Sequence, residues 1–277
     1  VFEIPEGSRT SAGRSIQNLL QLRDEETVTA AFAIKDFDDR DILFCTRSGI
    51  VKKVTLSLLR NAARQSGIIA CGLEDGDSLI GASLLEGGED VLLATAQGMS
   101  IRFPESDVRR MGRTARGVKG IKLREGDSVV GSVVVQEGAC LLTLCENGYG
   151  KRTTFDEYRT QSRGGLGIIN IQANERNGPV VEVAGVTEDD DVMLITAGGM
   201  IVRTRIAEIS IIGRNTQGVR VINPKDGDRL LAAAVVTAED EEEPGEDTEA
   251  ESEGNSGDSA PENRDDAPDS AENEGDS

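Results

Sequence analysis

The chain has 277 residues, 29% of them charged, and a formal net charge of −20, an average that argues against nucleic-acid binding. That charge is unevenly distributed, because residues 239–277 hold 18 acidic residues and one basic residue, which leaves 32 acidic and 29 basic residues in 1–238. No apolar run approaches the ~20 residues that a membrane-spanning helix needs, and the first residues do not have the pattern of a signal peptide.

Residues 1–34 are predicted to form the second half of a repeat. The run Arg9-Thr-Ser-Ala-Gly13 occupies the position of a loop, and the segment from Val28 to Ile34 the position of the last strand. A propeller that lacks half a blade has an open strand edge, which promotes aggregation. We therefore expect that Val1 is not the natural start of the protein.

Four further copies of a unit of about fifty residues follow, at 35–85, 86–135, 136–186 and 187–237. Each copy begins with an apolar run, continues through a turn that contains glycine, and ends its first half with an alternating segment. The turn glycines are spaced by 49, 50 and 51 residues, at Gly49, Gly98, Gly148 and Gly199. A run, a glycine turn and an alternating run predict a β-hairpin.

The second half of each copy contains a basic loop with glycine, a third strand, a second turn and a fourth strand. In the first copy, for example, Gly67 ends the loop and Ile68-Ile-Ala70 is the predicted third strand. Four strands per copy predict an all-β fold with propeller-like blades, four complete and one partial, across residues 1–237. WD40 repeats are excluded because the chain has no Trp and no His, and kelch repeats rely on aromatic residues that are missing here.

Basic residues recur in register on these elements, and they are the candidates for DNA binding. Phosphate binding needs only cations and backbone donors along a track, because the duplex backbone presents its charges at regular intervals. The alternative is a solvated surface on which cations alternate with buried neighbours. The candidates are Lys52, Lys53, Arg64, Arg102, Arg113, Arg116, Lys119, Lys151, Arg152, Arg163, Arg203, Arg205, Arg214 and Arg220.

Residues 238–277 are predicted to be a disordered acidic tail. From Glu239 onward there is no Val, Ile, Leu, Met, Phe, Tyr or Trp, so the segment cannot bury enough apolar surface to offset the entropy of ordering. The tail is either a solubilising extension or a polyanion that competes with DNA for the basic surface.

We predict no catalytic residue and no metal site in this chain. Tyr158 lies where the other copies have Leu59, Val108 and Ile209, which indicates a core position. The acidic turns are too short for an EF-hand loop. Four scattered cysteines without a CxxC pair are typical of reduced thiols in a cytosolic protein (Cys45, Cys71, Cys140 and Cys145).

Three runs carry a resemblance to a known family: 111–123 (MGRTARGVKGIKL), 148–153 (GYGKRT) and 208–219 (EISIIGRNTQGV). They closely resemble the C-terminal domain of gyrase A subunits, and the resemblance covers residues 1 to about 237. It implies a β-pinwheel, in which neighbouring blades exchange one strand and duplex DNA wraps around the positively charged rim without sequence specificity. It also implies a part in ATP-dependent negative supercoiling by DNA gyrase, a type IIA topoisomerase.

The resemblance places the rest of the enzyme elsewhere. The cleavage tyrosine, the ATPase, ATP and Mg²⁺ belong to other domains or subunits, so we expect no cofactor and no activity in this fragment alone. The implied partners are duplex DNA, the gyrase A N-terminal region and the gyrase B protein in an A2B2 assembly in the bacterial cytoplasm, with no membrane.

Two alternatives stay open at this point. The signature heptapeptide of the family would precede Val1, and the related run 161–167 (QSRGGLG) lacks its second-position Arg and its Lys. The chain could therefore come from the A subunit of topoisomerase IV. A propeller scaffold for protein partners is the alternative from a different class.

Overall fold

The computed structural model describes residues 22, 26–63 and 67–237. The predicted loop at 9–13, the candidate Arg64 and the predicted acidic tail at 238–277 lie outside the described residues. Within the described ranges, no helix combines the length and the apolar character that crossing a membrane requires.

The described residues form an all-β fold in which every predicted hairpin is present. Only short 3-10 helices interrupt the strands, at Leu56–Ala63, Glu105–Asp107, Phe155–Glu157 and Ile206–Glu208. The strands are β1 (Asp41–Thr46), β2 (Ile50–Thr55), β3 (Leu79–Leu85), β4 (Asp90–Thr95), β5 (Met99–Pro104), β6 (Val118–Lys119), β7 (Val129–Val134), β8 (Cys140–Cys145), β9 (Tyr149–Thr154), β10 (Ile168–Ile169), β11 (Val180–Val186), β12 (Asp191–Thr196), β13 (Ile201–Arg205), β14 (Val219–Arg220) and β15 (Leu230–Val236).

The strands form four antiparallel sheets, which we call blades 1 to 4. Their strand orders are β3-β1-β2-β6, β10-β5-β4-β7, β11-β8-β9-β14 and β13-β12-β15. The last strands β3, β7, β11 and β15 contact one another in chain order and lie on the inside. The opposite edges of the blades, with β6, β10 and β14, form the outer rim.

Neighbouring blades exchange a strand. The short strand β6 comes from the second repeat and pairs with β2 of the first, with Val118 opposite Val51. In the same way β10 pairs with β5, and β14 with β9. The expectation of a propeller-like β-pinwheel, in which neighbouring blades exchange one strand, is thus confirmed.

Two predicted strands are not strands in the structure. Ile68–Ala70 and the segment 28–34 have no regular secondary structure. In the other repeats, the segment equivalent to Ile68–Ala70 pairs with a hairpin strand of the preceding repeat. The segment equivalent to 28–34 pairs with a hairpin strand of its own repeat. Within the described residues, neither segment belongs to a sheet.

The hydrophobic core lies between adjacent blades, because the hairpin strands bury both faces. On β4, Val91 and Leu93 pack toward blade 1, whereas Leu92 and Ala94 pack toward blade 3. This explains why the sequence shows continuous apolar runs at these strands instead of strict alternation. Tyr158 is 1% exposed between blades 2 and 3, which confirms the core position predicted for it.

Two glycines in each exchange are required by close backbone approach. The turn residue Gly98 has a φ of +80°, and a Cβ atom there would collide with the carbonyl oxygen of Ile171. The loop residue Gly167 has a φ of +74°, and its Cβ would collide with the carbonyl oxygen of Ser100. The glycines that define the repeat in sequence therefore permit the exchanged strand to dock.

Candidate nucleic-acid interface

In blades 1 to 3, the basic residue four positions after the turn glycine connects one blade to the next. Arg102 forms an ion pair through Nε with Asp90 at 2.7 Å, and it donates a hydrogen bond of 2.8 Å to the carbonyl oxygen of Phe155 in blade 3. Arg152 is 4% exposed and donates from Nε to the carbonyl oxygen of Ile209 in blade 4 at 2.7 Å.

Lys53 has the same arrangement at the first interface. Its ammonium group binds the carboxylate and the carbonyl oxygen of Glu105 in blade 2, and it lies 3.9 Å from Asp41 of its own blade. Lys53 is buried, as is Arg152, and the side chain of Arg102 is only 20% exposed. Their donors point at protein acceptors, so the structure gives no support to the prediction that they contact phosphate.

Lys52 and Lys151 were also predicted as phosphate contacts, and both are fully buried. The ammonium group of Lys151 donates to the carbonyl oxygens of Asn170, Gly213 and Arg214 at 2.7–2.8 Å. Burial lowers the pKa of Lys151 to about 8 and also lowers the pKa of Lys52. These lysines stabilise the interfaces and cannot reach a duplex, which corrects the second part of the predicted track.

The corresponding cations of blade 4 are more accessible. The side chain of Arg203 is 48% exposed and pairs with Asp191 at 2.5 Å, and Arg205 is exposed. In the described ranges no following repeat covers β13, so these two candidates stay on the surface while their counterparts in earlier blades are enclosed.

Three of the predicted loop arginines tie their loops to the preceding repeat. Each donates from Nη1 to a carbonyl oxygen: Arg163 to Lys119 at 3.0 Å and Arg214 to Ile169 at 2.8 Å, both on exchanged strands, and Arg113 to Ile69 at 3.3 Å. All three are half-buried. They recur at equivalent places along the outer rim, because every exchange repeats the same geometry.

Three further candidates are exposed on the rim. Lys119 and Arg220 lie on the exchanged strands β6 and β14, and Arg116 lies in the loop before β6. Arg116 pairs with Glu74 at 3.3 Å, but both side chains are more than 60% exposed, so this pair contributes little.

Three stretches of chain carry these loops and exchanged strands across to the preceding blade, and we call them the crossing segments: 108–123, 158–173 and 209–224. Together they contain ten basic residues and no acidic residue. Residues 1–238 hold more acidic than basic residues, so the charge of the folded part is segregated. The outer rim is cationic although the average is not.

Four exposed cations of the crossing segments were not among the predicted candidates: Arg109, Arg110, Lys122 and Arg159. A signal for two of them exists, since Arg109 and Arg159 both stand eleven residues after a turn glycine, where the first repeat has Arg60. The prediction favoured the cation four residues after the turn glycine, because that cation recurs in every repeat. In blades 1 to 3 its side chain faces the next blade.

Comparisons with known proteins agree on one family. The family model described as "DNA gyrase C-terminal domain, beta-propeller" matches residues 1–35, 40–86, 89–136, 141–184 and 190–237. The DNA gyrase A subunit of Halalkalibacterium halodurans is 55% identical over 242 residues, and that of Salmonella typhimurium is 43% identical over 245. The aligned part covers 87% of this chain in both cases, but only 29% and 28% of these relatives, so the chain spans less than a third of their length.

Solved structures give the same result. The C-terminal domain of DNA topoisomerase IV has a TM-score of 0.81 at 25% identity, covering 87% of this chain and 75% of that one. A DNA gyrase A C-terminal domain has a TM-score of 0.71 at 29% identity, covering 80% and 74%. With the exchanged strands, the cationic rim and the match across all five repeat segments, the chain belongs to the family of DNA gyrase C-terminal β-propeller domains.

Proposed function

We propose that this chain binds duplex DNA without sequence specificity along the outer rim and bends it around the blades. The composition of the crossing segments carries the proposal, because they present ten cations and no acidic residue at the outer edge of the fold. A duplex has a closely spaced row of phosphates, and cations repeated from blade to blade match that row.

Bending follows from the curvature of the rim. The interface has no recognition helix, so contacts fall on phosphates and the preference among sequences comes from how easily each one deforms. Loops rich in glycine favour this mode, because they let phosphate approach backbone N–H groups.

The parent protein is proposed to be the A subunit of a bacterial DNA gyrase in the cytoplasm. Identity of up to 55% to gyrase A subunits supports this choice. The wrapped DNA would then serve ATP-dependent negative supercoiling, with the gyrase A N-terminal region and the gyrase B protein supplying cleavage, ATP and Mg²⁺. This chain binds no cofactor of its own in the proposal, and alone it would pass no strands.

A topoisomerase IV A subunit is the second candidate, and the TM-score of 0.81 to such a domain favours it. The two candidates predict different activities for an enzyme in which this chain replaces the matching part of the gyrase A subunit of Halalkalibacterium halodurans. A gyrase-type domain restores ATP-dependent negative supercoiling in the reconstituted enzyme. Relaxation without supercoiling would favour the topoisomerase IV type.

The direct test measures binding of the 277-residue chain to a linear duplex of ~150 bp, about one persistence length, at several salt concentrations. We expect affinity to fall steeply with salt, and energy transfer between dyes on the duplex ends to rise on binding. A propeller scaffold for protein partners predicts neither effect, and their absence would refute the proposal.

A further inference from the structure

A tyrosine that holds two arginines lies on the outer rim of blade 3. Tyr149 is the first residue of β9 and is 7% exposed. The Cζ atoms of Arg176 and Arg220 lie 4.8 and 4.4 Å from the centroid of its ring, within the range of cation–π contacts. Arg220 comes from the exchanged strand of the last repeat, whereas Arg176 belongs to the turn before β11.

Neutral acceptors orient both guanidinium groups. Arg220 donates to the Tyr149 hydroxyl at 2.5 Å and to the Asn223 side chain at 3.1 Å. Arg176 donates to the Gln217 side chain at 3.1 Å. Neither arginine forms an ion pair within the described ranges. Two like charges are therefore held at one ring without a carboxylate to neutralise them.

This arrangement occurs once among the four blades. Where blade 3 has Tyr149, the other repeats have Ile50, Met99 and Met200. The partner strand of blade 2 has Ile169 at the position of Arg220. The other blades form without this cluster, so the fold itself does not require these three side chains.

We propose that Tyr149, Arg176 and Arg220 form a preorganised binding site for a phosphodiester group of the duplex, and that this site is the strongest single contact on the rim. Both arginines are exposed, so their remaining N–H donors face solvent. An anion between them relieves their mutual repulsion, and guanidinium groups bind phosphate oxygens through paired hydrogen bonds. The inference rests on the proposed DNA binding and adds an unequal distribution of affinity among the blades.

The test compares variants of the 277-residue chain on the same ~150-bp duplex. Arg176→Gln with Arg220→Gln removes two charges from the cluster, and Lys119→Gln with Lys122→Gln removes two exposed charges from the crossing segment 108–123. Both double variants flatten the salt slope by about 1.8, at ~0.9 per phosphate. At a fixed salt concentration, we expect the cluster variant to lose at least about threefold more affinity than the matched lysine variant, as cation–π contacts at exposed sites imply.

Tyr149→Met removes the ring but no charge, and Met stands at this position in two other blades. We expect weaker binding by about threefold or more with an unchanged salt slope. Equal losses in the two double variants, together with unchanged affinity of Tyr149→Met, would overturn the site. If instead the unsubstituted chain shows no salt-dependent affinity, the proposed function itself fails.

Discussion

The guanidinium group of Arg102 in blade 2 donates a hydrogen bond of 2.8 Å to the carbonyl oxygen of Phe155 in blade 3. The donor follows the turn glycine of its repeat by four residues, and the acceptor begins the 3-10 helix of the next repeat. Lys53 and Arg152 repeat this relationship at the other two interfaces. The recurring cation therefore joins blades, and the outer crossing segments present the charge that faces solvent.

Arg102→Gln is expected to destabilise the fold by about 1.5–3 kcal/mol, because it removes the ion pair to the half-buried Asp90 carboxylate and a charged hydrogen bond to the Phe155 carbonyl oxygen. Urea unfolding monitored by circular dichroism measures this loss. The matched control is Arg203→Gln at the equivalent place in blade 4, where the side chain is 48% exposed. Its cost should stay below ~1 kcal/mol, and similar losses in both variants would contradict the connecting role.

Lys119→Gln combined with Lys122→Gln should weaken DNA binding without changing stability. Both side chains are exposed on the crossing segment 108–123, and each lost phosphate contact flattens the log–log salt slope by about 0.9. Fluorescence anisotropy over a salt series measures the slope. Lys35→Gln with Arg47→Gln removes two exposed charges outside the crossing segments, and an equal effect there would mean that the rim is not the interface.

Glu182 should make stability fall as pH rises. Burial raises its pKa from the usual 4.5 to about 7. Between these two values the folded state holds a proton that the unfolded state has released, so stability decreases by up to roughly 1.4 kcal/mol per pH unit. The equivalent residue of blade 4 is Ala232. Glu182→Ala should remove the decrease in unfolding experiments between pH 4.5 and 7, and an unaltered profile would exclude Glu182 as its source.

Gly167→Ala should weaken the strand exchange between blades 2 and 3 by ~3 kcal/mol or more, since the new Cβ meets the Ser100 carbonyl and the φ is positive. Gly227→Ala is the control, because its φ is also positive, at +79°, but a Cβ there has open space. We expect a loss of ~1–2 kcal/mol from backbone strain alone. Thermal melts compare the two, and equal losses would show that close approach at Gly167 is unimportant.

The hairpins and the apolar runs were predictable because they depend on local pattern. The glycine turns, the alternating segments and the buried Tyr158 all appear where the repeat puts them. The pairing of the short third strand was not predictable from local pattern, since Val118 prefers an extended conformation in either blade. Its actual partner, Val51, lies 67 residues earlier in the chain.

The sequence by itself determined the repeat, the all-β architecture and the presence of recurring cations. Only the tertiary structure decided which of those cations face water. The local sequence around a basic residue on a strand is the same whether its side chain faces solvent or the next blade. The stacking of blades enclosed Lys151 and Arg152 among carbonyl oxygens, while the exchange of strands carried Lys119 and Arg220 to the rim. Burial depends on contacts between distant segments, and these arise only when the blades assemble.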